Sequence, residues 1–332
     1  MSIVQDFIGG DFSCDTIKKC LCMRGEEQQQ LMEYARKVRL DYFPSNQVEV
    51  RSVIEISNIC KQKCRYCSIG GKGQELNYML DLSTIVNLVS YLYQCGRRVV
   101  MLQSGENKDI IFINNVSCAI KEIKEIFPDI EIILCLGNMS HNAYRKLSES
   151  GADRYILKFE TSNADLFSRC KPNDTLKNRL NCMQAIIDSG MKLGSGNIIG
   201  LPGQTIDDIV NDILLINKLR LDMNSTTTFI PAEKSEFKGY PMGNVDDTLN
   251  MMAMMRIMNP SRLMPTTSSL EKAGENGQFR GLLAGANTIT IHDGTPRELI
   301  AHFPIYSDTR VRPQREYFKK IVAESGMNAD NI

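Results

Sequence analysis

Past residue 46, the sequence alternates short β-branched runs with longer segments of helical period, and this alternation most constrains the fold. Such alternation is typical of βα units, whose successive strands run parallel. The predicted strands are 48–56, 98–102, 130–134, 154–158, 192–199, 222–229, 262–266 and 287–291. Eight units over about 250 residues predict an α/β protein with a (β/α)8 TIM-type barrel. A doubly wound open sheet is the alternative, because periodicity does not show closure.

The two ends of the chain differ from this pattern. Residues 25–39 form a charged segment that predicts a helix packed across one end of the barrel, and residues 314–325 predict a closing helix. No repeat of 20 to 50 residues and no low-complexity linker divides the chain. We therefore expect an N-terminal helical extension (1–46), one barrel domain (47–300) and a C-terminal closing segment (301–332).

Composition excludes several classes of protein. Thirty-nine basic side chains balance thirty-nine acidic ones, which argues against binding nucleic acid or an anionic membrane through bulk charge. No apolar run approaches the roughly 20 residues of a membrane helix, and the first residues lack a signal-peptide pattern. We therefore expect a soluble, cytoplasmic protein. Its eleven cysteines are an odd number, so some thiols are expected to be reduced ligands, nucleophiles or core residues.

Cys60, Cys64 and Cys67 follow the first predicted strand in a C-x3-C-x2-C spacing. Structural zinc sites use four ligands, and no fourth Cys or His lies nearby, whereas three thiolates suit a 4Fe-4S cluster with one open iron. Active sites of such barrels are built from loops at the carboxyl ends of strands, where this segment falls. The alternatives are a zinc knuckle completed from elsewhere in the chain, or a redox pair of Cys64 and Cys67.

This spacing, with Tyr66 before the last cysteine, resembles the signature of the radical S-adenosylmethionine (radical SAM) superfamily. Further motifs follow at successive strand ends: MLQSGE (101–106), FETSNADLF (159–167), GSGNIIGLPGQT (194–205), FIP (229–231), PTT (265–267) and GAN (285–287). Over roughly residues 30–300 the series is similar to the branch of biotin synthase, methylornithine synthase and, above all, the FeFe-hydrogenase maturase. The resemblance implies that the three cysteines hold the cluster, that S-adenosylmethionine (SAM) chelates its open iron, and that a 5′-deoxyadenosyl radical forms on reduction.

Further roles are implied by the same resemblance. The backbone carbonyl of Tyr66 would accept from the adenine amine, and Ser104, Gly105 and Glu106 would meet the methionine ammonium. Glu160 would contact the ribose, where a carboxylate can accept from hydroxyl groups.

Arg179 would pair with the methionine carboxylate, which a guanidinium holds at two points. For both Glu160 and Arg179, a surface charge or an internal ion pair is the alternative. Gly196, Ile198 and Gly200 are expected to line the adenine, with the glycines allowing close backbone approach. A strand bulge is the alternative role for the glycines.

Departures from the branch bear on the reaction. His292 and Asp293 follow the eighth strand, where either would bind substrate or transfer a proton, or else cap the next turn. Residues 224–228 are Asn-Ser-Thr-Thr-Thr, which predicts a polar substrate for maturase-like or mutase-like hydrogen abstraction. Biotin-type sulfur insertion is disfavoured, because 194–197 lacks the cysteine of biotin synthase and Cys135 is offset from the family's ligand position, with a side chain that could face away.

Cys14, Cys20 and Cys22 in the extension allow a second iron-sulfur cluster, as in lipoyl synthases, or are small core residues. The first possibility would mean sulfur insertion into a substrate that a protein carries. A non-enzymatic iron-sulfur sensor or binding module is a further alternative. As partners we expect a small-molecule substrate and a reductant such as flavodoxin or ferredoxin, and neither nucleic acid nor membrane.

Overall fold

Eight parallel strands surround a common axis in the computed structural model, which describes residues 2–69, 76–306, 315–329 and 332. The strands are β1 Glu49–Ser57, β2 Val99–Ser104, β3 Glu131–Cys135, β4 Arg154–Ile156, β5 Lys192–Ile199, β6 Met223–Thr228, β7 Pro265–Thr266 and β8 Thr288–Ile291. They are hydrogen-bonded in the order β6-β5-β4-β3-β2-β1-β8-β7. All eight predicted strands are present; β5 has the predicted bounds, and the other seven differ at one or both ends.

The first and last strands of that order meet at a seam between β6 and β7. There, a single parallel bridge joins Met223 to Leu263, two residues before β7. Its backbone hydrogen bonds run from Asn224 N–H to the Leu263 carbonyl, 3.0 Å, and from Leu263 N–H to the Asp222 carbonyl, 3.1 Å. The sheet is thus a nearly closed (β/α)8 barrel rather than a doubly wound open sheet, as the sequence predicts.

Helices cover the outside of the barrel. They are α1 Ile3–Ile8, α2 Cys14–Leu21, α3 Gly25–Tyr42, α4 Leu82–Gln94, α5 Ile110–Ile126, α6 His141–Glu149, α7 Ala164–Cys170, α8 Leu176–Asp188, α9 Ile206–Lys218, α10 Val245–Met258, α11 Ser268–Ala273, α12 Gly277–Leu283 and α13 Arg315–Glu324, with a 3-10 helix at Arg297–His302. The closing helix is α13; of its predicted span, residue 314 lies outside the described residues. No helix in the described ranges is both long enough and apolar enough to cross a membrane.

The position of α3 differs from the prediction. Near its start the Gln28 amide donates to Asn250 of α10 at 2.8 Å, and near its end Arg39 donates to the carbonyls of Leu282 and Ala286 at 2.7 and 3.0 Å. These contacts lay α3 along the flank of the barrel beside α10, not across one end. The sequence shows that a helix is amphipathic but not which surface it covers.

The side chains of β1 that face the barrel axis form two layers at the amino end of the barrel. Glu49 and Arg51 lie at the amino end, where Arg51 Nε is 2.6 Å from Glu49, and Arg154 of β4 donates to both Glu49 oxygens at 2.9 Å. Burial opposes ionisation of Glu49, but Arg51 and Arg154 outweigh it and lower its pKa. Above this charged floor, Val53 packs with apolar residues of β2 and β3. The floor and this apolar layer lie between the amino ends of the strands and the space that opens at their carboxyl ends.

Candidate active site

A cavity of about 350 Å³ opens at the carboxyl ends of the strands. Three cysteines of one loop lie on its wall together with side chains from several strands, as in barrel enzymes. Most of the predicted site residues line it: Cys60, Cys64, Tyr66, Cys67, Ser104, Gly105, Glu106, Glu160, Arg179, Ile198 and His292. Residues far apart in sequence therefore meet in one pocket.

The cysteine loop follows β1 directly, and each of its three thiol sulfurs has a hydrogen-bond donor. Cys60 Sγ accepts from the backbone N–H of Glu106 at 3.4 Å, and Cys67 Sγ accepts from that of Ile69 at 3.4 Å. Cys64 Sγ accepts from the ammonium of Lys171 at 3.2 Å. Hydrogen bonds to sulfur stabilise thiolates and are a feature of iron-sulfur sites.

Gly105 explains how the loop fits against β2. A Cβ at this position would lie 2.5 Å from the Ile59 carbonyl and 2.7 Å from the Cβ of Cys60. Any larger residue would push the cysteine loop away from the strand end. Packing of the cysteine loop therefore requires glycine at position 105, in addition to the contact with SAM that the resemblance predicts.

The donor set fits a 4Fe-4S cluster better than zinc. Tetrahedral Zn–S bonds hold sulfurs about 3.8 Å apart on one ion. In the part of the chain that the structure describes, no three Cys, His, Asp or Glu side chains are placed to share a single metal ion. A 4Fe-4S cluster binds each thiolate through a different iron. Burial raises the pKa of Cys67 to about 12, so its thiolate form depends on metal binding.

Glu160 lies opposite the cysteine loop in a strained conformation. Its φ of 66° is in the left-handed region, which costs a non-glycine residue about 1–3 kcal/mol. Two backbone bonds to β5 hold it: its N–H donates to Gly196 at 3.1 Å, and its carbonyl accepts from Ile198 at 2.8 Å. The Tyr66 hydroxyl donates to its carboxylate at 3.1 Å. This anchoring directs a carboxylate into the cavity, where the family resemblance expects the ribose contact.

The charges around Glu160 keep it ionised. Burial alone would raise its pKa, but the cations of Lys158, Lys171 and Arg179 outweigh that effect and lower it. Lys158 Nζ lies 3.2 Å from the carboxylate of Glu160 and donates to the Thr227 hydroxyl at 2.7 Å. The wall around Glu160 therefore carries three cations that stabilise its carboxylate.

Arg179 lies in the cavity wall and also forms the internal ion pair that was its alternative role. Its Nη2 is 3.2 Å from Asp174, which also accepts from Asn138 at 2.7 Å. The Nε of Arg179 is buried and has no hydrogen-bond partner within the described residues. An orphaned buried donor at the cavity fits a guanidinium that awaits a carboxylate.

Glu106 braces the loops around the cysteines. One carboxylate oxygen accepts from the Gln62 amide at 2.8 Å, and the other accepts from the Asn138 N–H at 2.9 Å. Ser104 donates to the Gly105 carbonyl at 2.7 Å. Glu106 is thus a structural anchor at the cavity as well as a candidate contact for a cationic group.

Two of the predicted adenine contacts take other positions. A Cβ at Gly196 would lie 1.7 Å from the Ser225 carbonyl, and one at Gly200 would lie 2.3 Å from Gly243 Cα. Neither glycine is among the residues that line the cavity, whereas Ile198 is. These glycines allow close contact between protein segments rather than close approach to a ligand. Which backbone a glycine faces depends on the neighbouring strand, which the sequence does not show.

His292 and Asp293 separate in the structure. His292 lines the cavity, and its Nδ1 lies 3.1 Å from the carboxylate of Glu55, a fully buried residue of β1. Asp293 does not line the cavity and instead pairs with Arg97 at 2.9 Å. Only His292 is therefore placed to meet a substrate.

Lys158 and Lys171 also line the cavity and were not predicted. Ser225 and Thr227 of the hydroxylated β6 line it as well, and both belong to the segment 224–228 that led us to expect a polar substrate. Cys135 also lines it, so its side chain faces inward and not away, and burial raises its pKa to about 11. Strand parity was the available signal, since Cys135 is two residues beyond the inward-facing Ile133.

The N-terminal cysteines occupy different environments. Cys20 is fully buried in the core, and burial raises its pKa to about 12. Cys14 and Cys22 are exposed. This distribution places Cys20 among core residues, the alternative that the sequence left open.

Comparison with known families matches residues 54–216 to the radical SAM superfamily. The FeFe hydrogenase maturase subunit HydE of Thermotoga maritima is 33% identical over 282 residues, which cover 84% of this chain and 80% of that protein. The 3-methylornithine synthase of Methanosarcina acetivorans is 25% identical, covering 94% of this chain and 89% of that protein. The biotin synthase of Aquifex aeolicus is 26% identical, covering 69% and 70%.

Solved structures show the same fold. A crystal structure of methylornithine synthase has a TM-score of 0.84 at 24% identity, over 99% of this chain and 97% of that one. The FeFe-hydrogenase maturase HydG has a TM-score of 0.82 at 16% identity, over 99% and 75%. The barrel and its N-terminal helices thus have counterparts of known structure.

Proposed function

This chain belongs to the radical SAM superfamily, and from that membership we propose that it is an enzyme that abstracts a hydrogen atom from a small polar substrate enclosed in the barrel. The family implies a 4Fe-4S cluster and SAM as cofactors. When bound, they supply a 5′-deoxyadenosyl radical as the hydrogen acceptor. The identity to HydE and the hydroxylated β6 support maturase-like or mutase-like chemistry on a polar molecule.

One observation carries the proposal: a single cavity joins the cysteine loop to a polar wall. Cys60, Cys64 and Cys67 line this cavity together with the polar residues Ser225, Thr227, Thr290 and His292. The cysteines would hold the cluster, and the hydroxyl and imidazole groups would bind the substrate. The apolar layer beneath the cavity limits entry of water from the amino end of the barrel.

Two charged residues hold SAM in this proposal. Arg179 would bind the methionine carboxylate through its fork, and Glu160 would accept from the ribose hydroxyls. The fixed conformations of both residues, held by Asp174 and by the backbone of β5, keep them in place before binding. A small reducing protein such as flavodoxin or ferredoxin is the proposed electron donor.

The first test uses anaerobically reconstituted protein. We expect about four irons per chain and, on reduction, cleavage of SAM to 5′-deoxyadenosine. The variants C60A, C64A and C67A should lose both iron and cleavage. Cys118→Ala is the matched control, because Cys118 is exposed on α5. An intact cluster without any SAM cleavage would contradict the proposal.

The second test identifies the substrate. Reduced enzyme is incubated with pools of deuterated small polar molecules and, separately, of large apolar ones, and deuterium in 5′-deoxyadenosine is measured by mass spectrometry. Transfer from one polar compound supports hydrogen abstraction from that class. Transfer only from large apolar compounds would overturn the assignment of a polar substrate.

A further inference from the structure

The ammonium of Lys171 lies 3.2 Å from Cys64 Sγ, closer than its 3.5 Å distance to the Tyr66 hydroxyl. Lys171 is only 6% exposed. The other two cysteines of the loop accept from neutral backbone N–H groups at 3.4 Å. A full positive charge therefore acts on one of the three sulfurs, from a position largely shielded from water.

The fold fixes this contact from both sides. Lys171 is the C-terminal cap of α7, and its N–H donates to Phe167 at 2.8 Å. The preceding carbonyl, of Cys170, accepts from the N–H of Arg65 at 2.9 Å, which ties the end of α7 to the cysteine loop beside Cys64. The backbone of Lys171 is thus anchored beside the cysteine loop, and its buried side chain ends at the Cys64 sulfur and the Tyr66 hydroxyl.

We infer that Lys171 raises the reduction potential of the cluster through Cys64, and so makes transfer of the activating electron more favourable. The inference rests on the cluster that the proposed function requires. Reduction adds one negative charge to the cluster, and a buried ammonium stabilises the more negative state more strongly. Charge-assisted hydrogen bonds are about twice as strong as neutral ones, so this contact is stronger than either of the two backbone bonds. Lys171 acts through Cys64 and not on the substrate.

The test is an electron paramagnetic resonance titration of reconstituted protein without SAM, comparing wild type with Lys171→Met and Lys171→Arg. At one fixed potential, the ratio of reduced to oxidised cluster should fall at least about tenfold in K171M, or about 59 mV for one electron. K171R keeps the charge and should stay within about twofold of wild type. Lys63→Met is the matched control: it removes an exposed charge next to Cys64 and should change the ratio less than about twofold, because water screens it.

Iron content separates the outcomes. Equal ratios in K171M and wild type at equal iron would overturn the inference, as would an equal effect of K63M. If K171M does not retain iron, Lys171→Gln takes its place, with the same tenfold fall expected. Loss of iron in both neutral variants would also overturn the inference, since Lys171 would then be required to hold the cluster. Failure of wild type to bind iron or cleave SAM would instead count against the proposed function.

Discussion

The imidazole Nδ1 of His292, just after β8, lies 3.1 Å from the carboxylate of Glu55 on β1. Glu55 has no exposed surface, and its backbone N–H donates to Thr295 Oγ1 at 2.9 Å. A buried carboxylate beside an imidazole fixes the orientation of the ring, as in other carboxylate–histidine pairs. The pair therefore presents a fixed imidazole to the cavity.

The variant His292→Gln tests the role of this pair. We expect deuterium transfer from substrate to 5′-deoxyadenosine to fall by about 10²-fold, because a substrate that the imidazole no longer holds would have its reacting C–H bond misplaced. SAM cleavage without substrate should continue, because the proposed function assigns SAM to Glu160 and Arg179 and not to His292. His141→Gln is the control, since His141 is exposed at the start of α6. Unchanged transfer in H292Q would show that the imidazole does not take part.

A second prediction concerns the packing of the cysteine loop. Gly105→Ala should lower the iron content after reconstitution to less than about half, because the added methyl group would meet Ile59 and Cys60 and overpacking costs about 1–3 kcal/mol. Gly239→Ala is the control, since a Cβ there has no atom within 4 Å. Iron analysis and thermal unfolding measure both effects. Full iron content in G105A would show that the loop can shift without losing its ligands.

A third prediction separates the N-terminal cysteines. The double variant C14A/C22A should keep about four irons per chain and wild-type stability, because both residues are exposed. Cys20→Ala should lower the free energy of unfolding by about 1 kcal/mol, because it leaves a small cavity in the core. A fall from about eight irons to four in C14A/C22A would instead reveal a second cluster.

A fourth prediction follows from Asp212 of α9. Its carboxylate accepts from Ser162 N–H and Oγ, both at 2.6 Å, and from Asn197 at 2.9 Å, yet burial outweighs these bonds and raises its pKa to about 6. The folded state therefore binds more protons than the unfolded state between about pH 4 and pH 6. The contribution of Asp212 to stability is fully present below that range and declines as pH rises through it.

Urea unfolding of wild type and Asp212→Asn across pH 4 to 6 measures this effect. The free energy of unfolding of wild type relative to D212N should fall by about 1.4 kcal/mol per pH unit. Relative stability that is constant or rises with pH would contradict the raised pKa. Ser168→Ala, an exposed change on α7 at a residue that does not titrate, is the control and should give a flat difference.

The sequence predicts the strands well and the contacts between them poorly. Strand positions follow from local alternation, so all eight were found, and the cysteine loop followed from one motif. The contact of Glu55 with His292 joins the first and last strands, and it exists because β1 and β8 are neighbours in the sheet. No local pattern records which strands become neighbours. Gly196 likewise depends on the backbone of Ser225, a neighbour in space and not in sequence.

Short helices were missed for a related reason. The helices α7, α11 and α12 have six or seven residues, too few for a period of 3.6 to stand out. Yet α7 carries Lys171 to the cysteine loop. Sequence patterns therefore fail to predict the site residues that short helices carry, such as Lys171.

The N-terminal helices have a mechanical consequence for the barrel. The crossover between β6 and β7 is α10, and its Asn250 amide donates to the carbonyls of Leu21 and Met23 at 2.9 Å each. These contacts hold α10 against the extension beside the junction of β6 and β7, where in the described residues a single bridge joins the strands. The extension therefore supports the polar wall of β6 from the outside of the barrel. We expect that shortening the extension would loosen this wall.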